Sequence, residues 1–217
     1  MKKRDIYFGL DLDETLVHTV KVWGLGDIPE DAEFYLYEEG KISYGVYLRD
    51  GLKDFLKTID DQFNLFFYTR ALGYYAKDIV KQLGYDHTPL FHRDHTHTVK
   101  YKEFGAYERE VEKVVFKKDL FKIADLLDTT INKIVFIDDV IDEKQITPIY
   151  CVIQIPEFEN TLDSDLLIIK DHINYLQHIE SDERFVECLR SLTFDSISIE
   201  KTPIPTIEKK RIKIKNC

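Results

Sequence analysis

Two carboxylates, Asp11 and Asp13, close an apolar run of strand character, Ile6-Tyr7-Phe8-Gly9-Leu10. In an extended segment side chains two residues apart share a face, so both acids can address one bound group. Neighbouring carboxylates repel, and a cation or a bound phosphate is the natural compensation. Three further pieces stand just after short apolar runs: Thr69 after Asn64-Leu-Phe-Phe-Tyr68, Lys118 after Val114-Val-Phe116, and Asp138-Asp139 after Ile134-Val-Phe-Ile137. Together they supply what phosphoryl transfer requires. A phosphate monoester carries two negative charges, so an attacking carboxylate must be shielded from it, and Mg2+ with its oxygen ligands does that. A lysine and a hydroxyl bind the remaining phosphate oxygens.

These residues have to be delivered to one place, and the runs before them indicate how. Leu52, Phe55, Leu56 and Ile59 recur at i, i+3, i+4, i+7, predicting a helix between the first run and Asn64–Tyr68. Residues 71–83, closed by Gly84, predict the next helix, and Leu120, Ile123, Ala124 and Leu127 a third stripe. Alternating strands and helices imply a parallel sheet whose C-terminal edge carries the ligand site. Further on, residues 151–155 read as a strand, residues 163–179 as a helix with Leu166, Leu167, Ile173 and Leu176 inward, and residues 182–192 as a last helix.

Between the first acids and the first helix, residues 20–31 read as a loop with Gly24, Gly26 and Pro29. Residues 33–38 and 42–48 then flank Glu39-Gly40-Lys41, predicting a β-hairpin with aromatics on both faces. The histidines His87, His92, His95 and His97 fit a solvated loop better than a metal site, since no cysteine is near them. Residues 101–112 are charged and read as locally helical or irregular. From Thr202 onward Pro203 and Pro205 break structure ahead of a basic run over residues 209–215.

With 217 residues the chain is long enough for one sizeable domain, placed at 1–195 with an insert over about 20–48, followed by a C-terminal extension over 196–217. Forty Asp and Glu against 30 Lys and Arg, a net charge of −10, argue against a general nucleic-acid binder. Three widely spaced cysteines give neither a disulfide framework nor a zinc spacing. With no apolar run of membrane length, the expectation is a soluble intracellular protein, nuclear or cytoplasmic.

The residues 11–18, Asp-Leu-Asp-Glu-Thr-Leu-Val-His, resemble the first motif of the haloacid dehalogenase superfamily, in the version found in the RNA polymerase II C-terminal-domain phosphatases, the NLI-interacting-factor-like group. Phe67-Tyr68-Thr69-Arg70-Ala71 is similar to their second motif, Phe116-Lys117-Lys118-Asp119-Leu120 to the third and Val135-Phe136-Ile137-Asp138-Asp139 to the fourth. Leu48-Arg49-Asp50-Gly51 and Tyr74-Tyr75-Ala76 extend the match, which spans residues 6–179.

The resemblance implies an α/β fold, a Rossmann-like parallel sheet of the haloacid dehalogenase type with a small β-hairpin insert after the first motif. It implies a Mg2+-dependent protein serine/threonine phosphatase. Asp11 is then the nucleophile that forms an aspartyl-phosphate, and Asp13 the acid that protonates the leaving group and activates water. Thr69, Arg70 and Lys118 bind phosphate. Asp11, Asp13 through its main-chain carbonyl, and Asp139 hold Mg2+, with Asp138 in support. The implied partner is a phosphoprotein or phosphopeptide, Ser-Pro segments of the polymerase tail among the candidates, in a groove built by Phe34, Leu36, Val46, Leu72 and Tyr75. Lys21 stands where the family has an aromatic, and residues 91–112 are longer and more charged than its pattern. Two other readings stay open: a phosphatase of small metabolites, and a catalytically silent binding subunit with the same fold.

Overall fold

The computed structural model describes residues 3–104, 110–141, 148–159 and 162–192. The extension expected over 196–217, its basic run included, lies outside them. Strand β1, Tyr7–Leu10, comes first, and β2, Val17–Lys21, follows within seven residues. Next are β3 (Phe34–Glu38), β4 (Lys41–Leu48), helix α1 (Leu52–Gln62), β5 (Asn64–Tyr68), α2 (Gly73–Gln82) and the two-residue β6 (Leu90–Phe91). The remainder runs β7 (His97–Phe104), β8 (Glu110–Lys117), α3 (Leu120–Leu126), β9 (Ile134–Asp138), β10 (Val152–Gln154), α4 (Asp165–Tyr175) and α5 (Asp182–Arg190).

Five strands form a parallel sheet in the order β10-β9-β1-β5-β6. The expected α/β sheet is present. From central β1 the chain builds outward to β5 and β6, then returns to add β9 and β10 on the other side. That reversal opens a crevice at the C-terminal end of β1, where Asp11 follows. Because successive strand residues face opposite ways, one sheet face buries Phe8, Leu10, Phe67, Val135 and Ile137 under α1, α2, α4 and α5. The other buries Phe66, Tyr68, Ile134 and Phe136 under α3. Gly9 has no room for a side chain: a Cβ there would lie 2.2 Å from the Phe66 ring and 2.6 Å from that of Phe136. Those two rings stack across the gap, 6.3 Å between centroids, so a glycine in mid-strand marks close packing over β1.

The insert differs from the expected hairpin by one strand. Residues 17–21, of which Val20 and Lys21 read as loop by sequence, pair antiparallel with β4 and complete a three-stranded sheet β2-β4-β3. Its β3–β4 turn is the one expected: Glu39 and Gly40 both have positive φ, 50° and 76°, which suits a two-residue turn matched to strand twist.

Residues 101–112 correct the sequence reading more fully. They are neither helical nor irregular where described, but belong to the antiparallel pair β7–β8, with Val99 opposite Val115 and Lys100 opposite Val114. Charged residues dominate the composition of this stretch, yet they alternate with β-prone ones, and period two prevails. A Lys100–Glu112 ion pair at 3.0 Å ties the ribbon across its strands. The histidine-rich segment is also more ordered than a solvated loop. Arg93–His95 form a 3-10 turn, Thr96 is buried, and the His92 and His95 rings meet edge to face at 4.5 Å.

Candidate active site

Asp11 leaves β1 buried, its N–H donating to the Ile137 carbonyl of β9 at 3.0 Å. The chain then turns sharply around one acceptor: the Leu12 carbonyl takes the N–H groups of Thr15, Leu16 and Val17 at 3.3, 2.8 and 3.1 Å. Glu14 has φ of 57°, the left-handed conformation this reversal needs. Asp13 is thereby lifted to the cleft wall, half-buried, while Asp11 stays on the floor.

Thr15 locks the turn to the fourth motif. Its hydroxyl donates to Asp139 Oδ1 at 2.9 Å and accepts the Asp139 N–H at 3.0 Å. From behind, the fully buried guanidinium of Arg49 donates to the Thr15 carbonyl at 2.9 Å, to Asp163 at 2.8 Å, to Asp165 at 3.0 Å and to the Pro156 carbonyl at 2.8 Å. The Phe158 N–H donates to the Glu14 carbonyl at 2.7 Å. Neither Thr15 nor Arg49 received a role from the sequence. The signal available for Arg49 was a lone cation after a β-prone run, just before the glycine that opens α1.

Lys118 reaches the floor by an unexpected route. The β7–β8 ribbon delivers it, outside the parallel sheet, and α3 fixes its register. The Asp119 carboxylate caps α3 by accepting from the Phe121 and Lys122 N–H groups, while its own N–H donates to the Tyr68 hydroxyl at 3.0 Å. Lys118, rather than neighbouring Lys117, is therefore the buried one, 1% exposed. Its ammonium lies 2.8 Å from Asp11 Oδ1 and 2.9 Å from Asp138 Oδ2. Burial works against its charge, but Asp11 and Asp138 outweigh that and hold its pKa above the ordinary value.

Three carboxylates converge around this one ammonium. Oxygens of Asp11, Asp138 and Asp139 lie within 4.8 Å of one another, the group of metal-ligand type found among the described residues. Asp138, expected only in support, stands among them. Asp13 contributes no carboxylate to the cluster. Burial pushes the Asp11 carboxyl up to about 8, against the pull of Lys118 and with Asp138 adding to the rise. Asp139 is raised by burial and by Asp138, against the Thr15 hydroxyl. Asp11 Oδ1 faces the Lys118 ammonium at 2.8 Å, and that contact counters part of the rise. An all-oxygen set with surplus negative charge fits a hard divalent cation such as Mg2+, not a thiophilic metal.

Above the floor opens a cleft of about 580 Å3, lined by Asp11, Asp13, Asp139, Thr69 and Arg70 among others. The buried Thr69 hydroxyl accepts the Ala71 N–H at 3.0 Å and stands 3.4 Å from Asp13 Oδ2. Arg70 lines the opening with Arg93, whose guanidinium donates to the Arg70 carbonyl at 2.9 Å and lies over the Phe116 ring. Of the expected groove residues, Leu72 and Tyr75 line this cleft. Leu36 and Val46 instead belong to the buried core, and Phe34 is half-buried against it. Tyr44 and Tyr74 take the places on the wall. Tyr75 also does more than line it: its hydroxyl bonds Asp13 Oδ1 at 2.5 Å. Burial and the adjacent Asp13 raise the Tyr75 phenol far above its usual value, so it remains protonated.

The profile described as NLI interacting factor-like phosphatase matches residues 9–186. Among solved structures, the chain is similar to an arginine-to-alanine variant of the fission yeast RNA polymerase II CTD phosphatase Fcp1 bound to beryllium fluoride, with 18% identity and a TM-score of 0.49 over 84% of this chain and 54% of that one. A second structure, of Fcp1 described as an essential RNA polymerase II CTD phosphatase, matches with 20% identity and a TM-score of 0.50 over 84% of this chain and 52% of the other. The chain spans about half the length of these structures. The likeness to the second is one of fold, the haloacid dehalogenase type. No described helix is long and apolar enough to cross a membrane.

Proposed function

We propose, on the premise that the chain belongs to the NLI interacting factor-like phosphatase family, that it is a Mg2+-dependent protein serine/threonine phosphatase working through an aspartyl-phosphate on Asp11. The observation that carries this reading is the Asp11 carboxylate, buried 2.8 Å from Lys118 and beside Asp138 and Asp139, on the floor of an open cleft. Two carboxyl groups in unlike surroundings suit two unlike roles.

Asp11 attacks phosphorus, and the bond to the seryl oxygen breaks as Asp13 gives that oxygen a proton. In the second half Asp13 takes a proton from water, whose oxygen displaces Asp11 and releases inorganic phosphate. Lys118 neutralises charge on Asp11 and on the phosphoryl group throughout. Thr69 and Arg70, both at the cleft, hold phosphoryl oxygens. Asp11, Asp139 and the main-chain carbonyl of Asp13, with Asp138 alongside, would hold Mg2+, which supplies shielding of the phosphoryl charge.

An open cleft walled by Tyr44, Leu72, Tyr74 and Tyr75 suits a phosphoserine carried on an extended polypeptide. Fcp1 is described as a phosphatase of the RNA polymerase II C-terminal domain, which makes Ser-Pro phosphopeptides of that domain the candidate substrates. The test is hydrolysis of such peptides with Mg2+ and with EDTA, beside sugar phosphates and nucleotides. The reading expects turnover only with the metal, higher kcat/KM for the peptides, and borohydride trapping of a phosphorylated Asp11. Equal kcat/KM for small metabolites would remove the protein-phosphatase part, and absence of turnover on every ester would leave a binding subunit.

A further inference from the structure

Asp13 is held from the side by a hydroxyl that the reaction scheme above does not use, and a second hydroxyl backs the first. The Tyr75 hydroxyl, on α2, lies 2.5 Å from Asp13 Oδ1 and 3.1 Å from the Thr19 hydroxyl, on β2. The Tyr75 ring is fixed in turn by an edge-to-face contact with Tyr44 of β4, 5.5 Å between centroids. Asp13 Oδ2, left over, faces Thr69 and the cleft.

Tyr75 has a single hydroxyl proton, so the contacts with Asp13 and Thr19 cannot both be its donations. One setting satisfies all three groups in both forms of Asp13: Thr19 donates to Tyr75 and Tyr75 donates to Asp13 Oδ1. The proton that Asp13 gives and takes is then carried on Oδ2, the oxygen that faces the cleft. The reaction needs Asp13 in both forms in turn, protonated before the leaving group departs and ionised before water is activated.

We infer that Tyr75, backed by Thr19, is a positioning residue that holds the Asp13 carboxyl in one orientation through both halves of the reaction, by donating to Oδ1 while Oδ2 gives and takes the proton. This rests on the role of Asp13 in the phosphatase reading. In the first half the seryl oxygen receives the Asp13 Oδ2 proton as its bond to phosphorus breaks, and the Tyr75 hydroxyl donates to the new carboxylate at Oδ1. In the second half the water proton goes to Oδ2 and the hydroxyl bonds stay as they were. No proton is lost to or gained from the Tyr75–Thr19 pair. Insert and catalytic sheet are thereby coupled, since Thr19 belongs to one and Asp13 to the other.

A wall residue of a peptide groove would give a different result from a positioning residue, and small substrates tell them apart. The experiment measures kcat/KM for 4-nitrophenyl, 4-chlorophenyl and phenyl phosphate, which lack a peptide and differ in how much their leaving groups need a proton. Wild-type turnover and its loss in Asp11→Asn test the underlying reading separately. For Tyr75→Phe, which keeps the ring, kcat/KM should fall about tenfold or more on phenyl phosphate and less than about threefold on 4-nitrophenyl phosphate, part of the roughly hundredfold or greater worth of a general acid. Asp13→Asn should steepen the same dependence further. Thr19→Val should act in the same sense with smaller size. An equal loss across the series in Tyr75→Phe, or none, would overturn the positioning role. A wild-type dependence in Thr19→Val would overturn the backing role of Thr19. Melting temperatures of the variants, expected within a few degrees of wild type, separate these outcomes from loss of fold.

Discussion

Two buried cations, Lys118 and Arg49, lie on opposite sides of the first motif, and each meets two carboxylates. Lys118 contacts Asp11 and Asp138 while a third acid, Asp139, shares the space. Arg49 contacts Asp163 and Asp165 and spends its other N–H groups on the carbonyls of Thr15 and Pro156. Around Lys118 negative charge is in excess, since three carboxylates crowd one ammonium. Arg49 instead places four hydrogen bonds on two carboxylates and two carbonyls. The excess has no structural use, and it is what a cation and a phosphoryl group would consume. The second set spends a guanidinium on holding the turn that presents Asp11 and Asp13. Burial and ion pairing alone therefore do not mark a site; unbalanced charge beside an open cleft does.

Substitutions on the two sides should separate activity from stability. Asp11→Asn should lower kcat by about a thousandfold or more, because no other group can take the phosphoryl. In Mg2+-free buffer above about pH 8 its melting temperature should equal or exceed that of wild type, since one of three crowded acids has lost its charge. Lys118→Met should cost about a hundredfold or more in kcat/KM. It should also lower the melting temperature in EDTA, with part of the loss recovered on adding Mg2+, as measured by thermal denaturation. Arg49→Met reverses the emphasis: it takes the guanidinium away from half-buried Asp163 and buried Asp165, so unfolding by urea should show a loss of about 3–5 kcal/mol. Its kcat/KM, at temperatures where it remains folded, should fall less than that of Lys118→Met. If Arg49→Met proved stable, or inactive while fully folded, the contrast between scaffold and site would fail.

The smallest effect is electrostatic and has a definite sign. The Asp11 carboxyl titrates near 8 in the folded protein against 3.8 for the free group. Without metal the folded state thus binds the extra proton, and this contribution to stability, full at low pH, is lost as pH rises from about 4 toward 8. Mg2+ must displace that proton at low pH and meets a carboxylate above it. The rise in melting temperature on adding Mg2+ should be larger at pH 8.5 than at pH 5.5, and the difference should shrink in Asp11→Asn.

Much of the site was legible along the chain because strands of a parallel sheet end at one edge. Asp11, Asp13, Thr69 and Asp138-Asp139 each follow an apolar run, and each arrives at the crevice beside β1. Lys118 was legible as a residue but not by its route, because the alternation of β7–β8 is masked by lysines and glutamates. The insert misled for a related reason. Both faces of β3 carry apolar or aromatic residues, and its register with β4 shifts between Leu36 and Tyr37. Phe34, Leu36, Tyr44 and Val46 share one face, and period two cannot say which of them pack inward: Leu36 and Val46 lie in the core while Tyr44 walls the cleft. Tyr75 was placed correctly on the wall, yet its bond to Asp13 crosses 62 positions and leaves no periodicity to read.

By itself the sequence determined which chemical groups follow which strands, because hydrophobic periodicity is local and the strand ends that bear the acids inherit it. The tertiary structure decided which of those groups balance one another. Asp11 meets Lys118, Thr15 meets Asp139 and Arg49 meets Asp163 across more than a hundred positions each. Coulomb attraction and desolvation depend on those distances in space and on the absence of water, and neither is written in the order of residues.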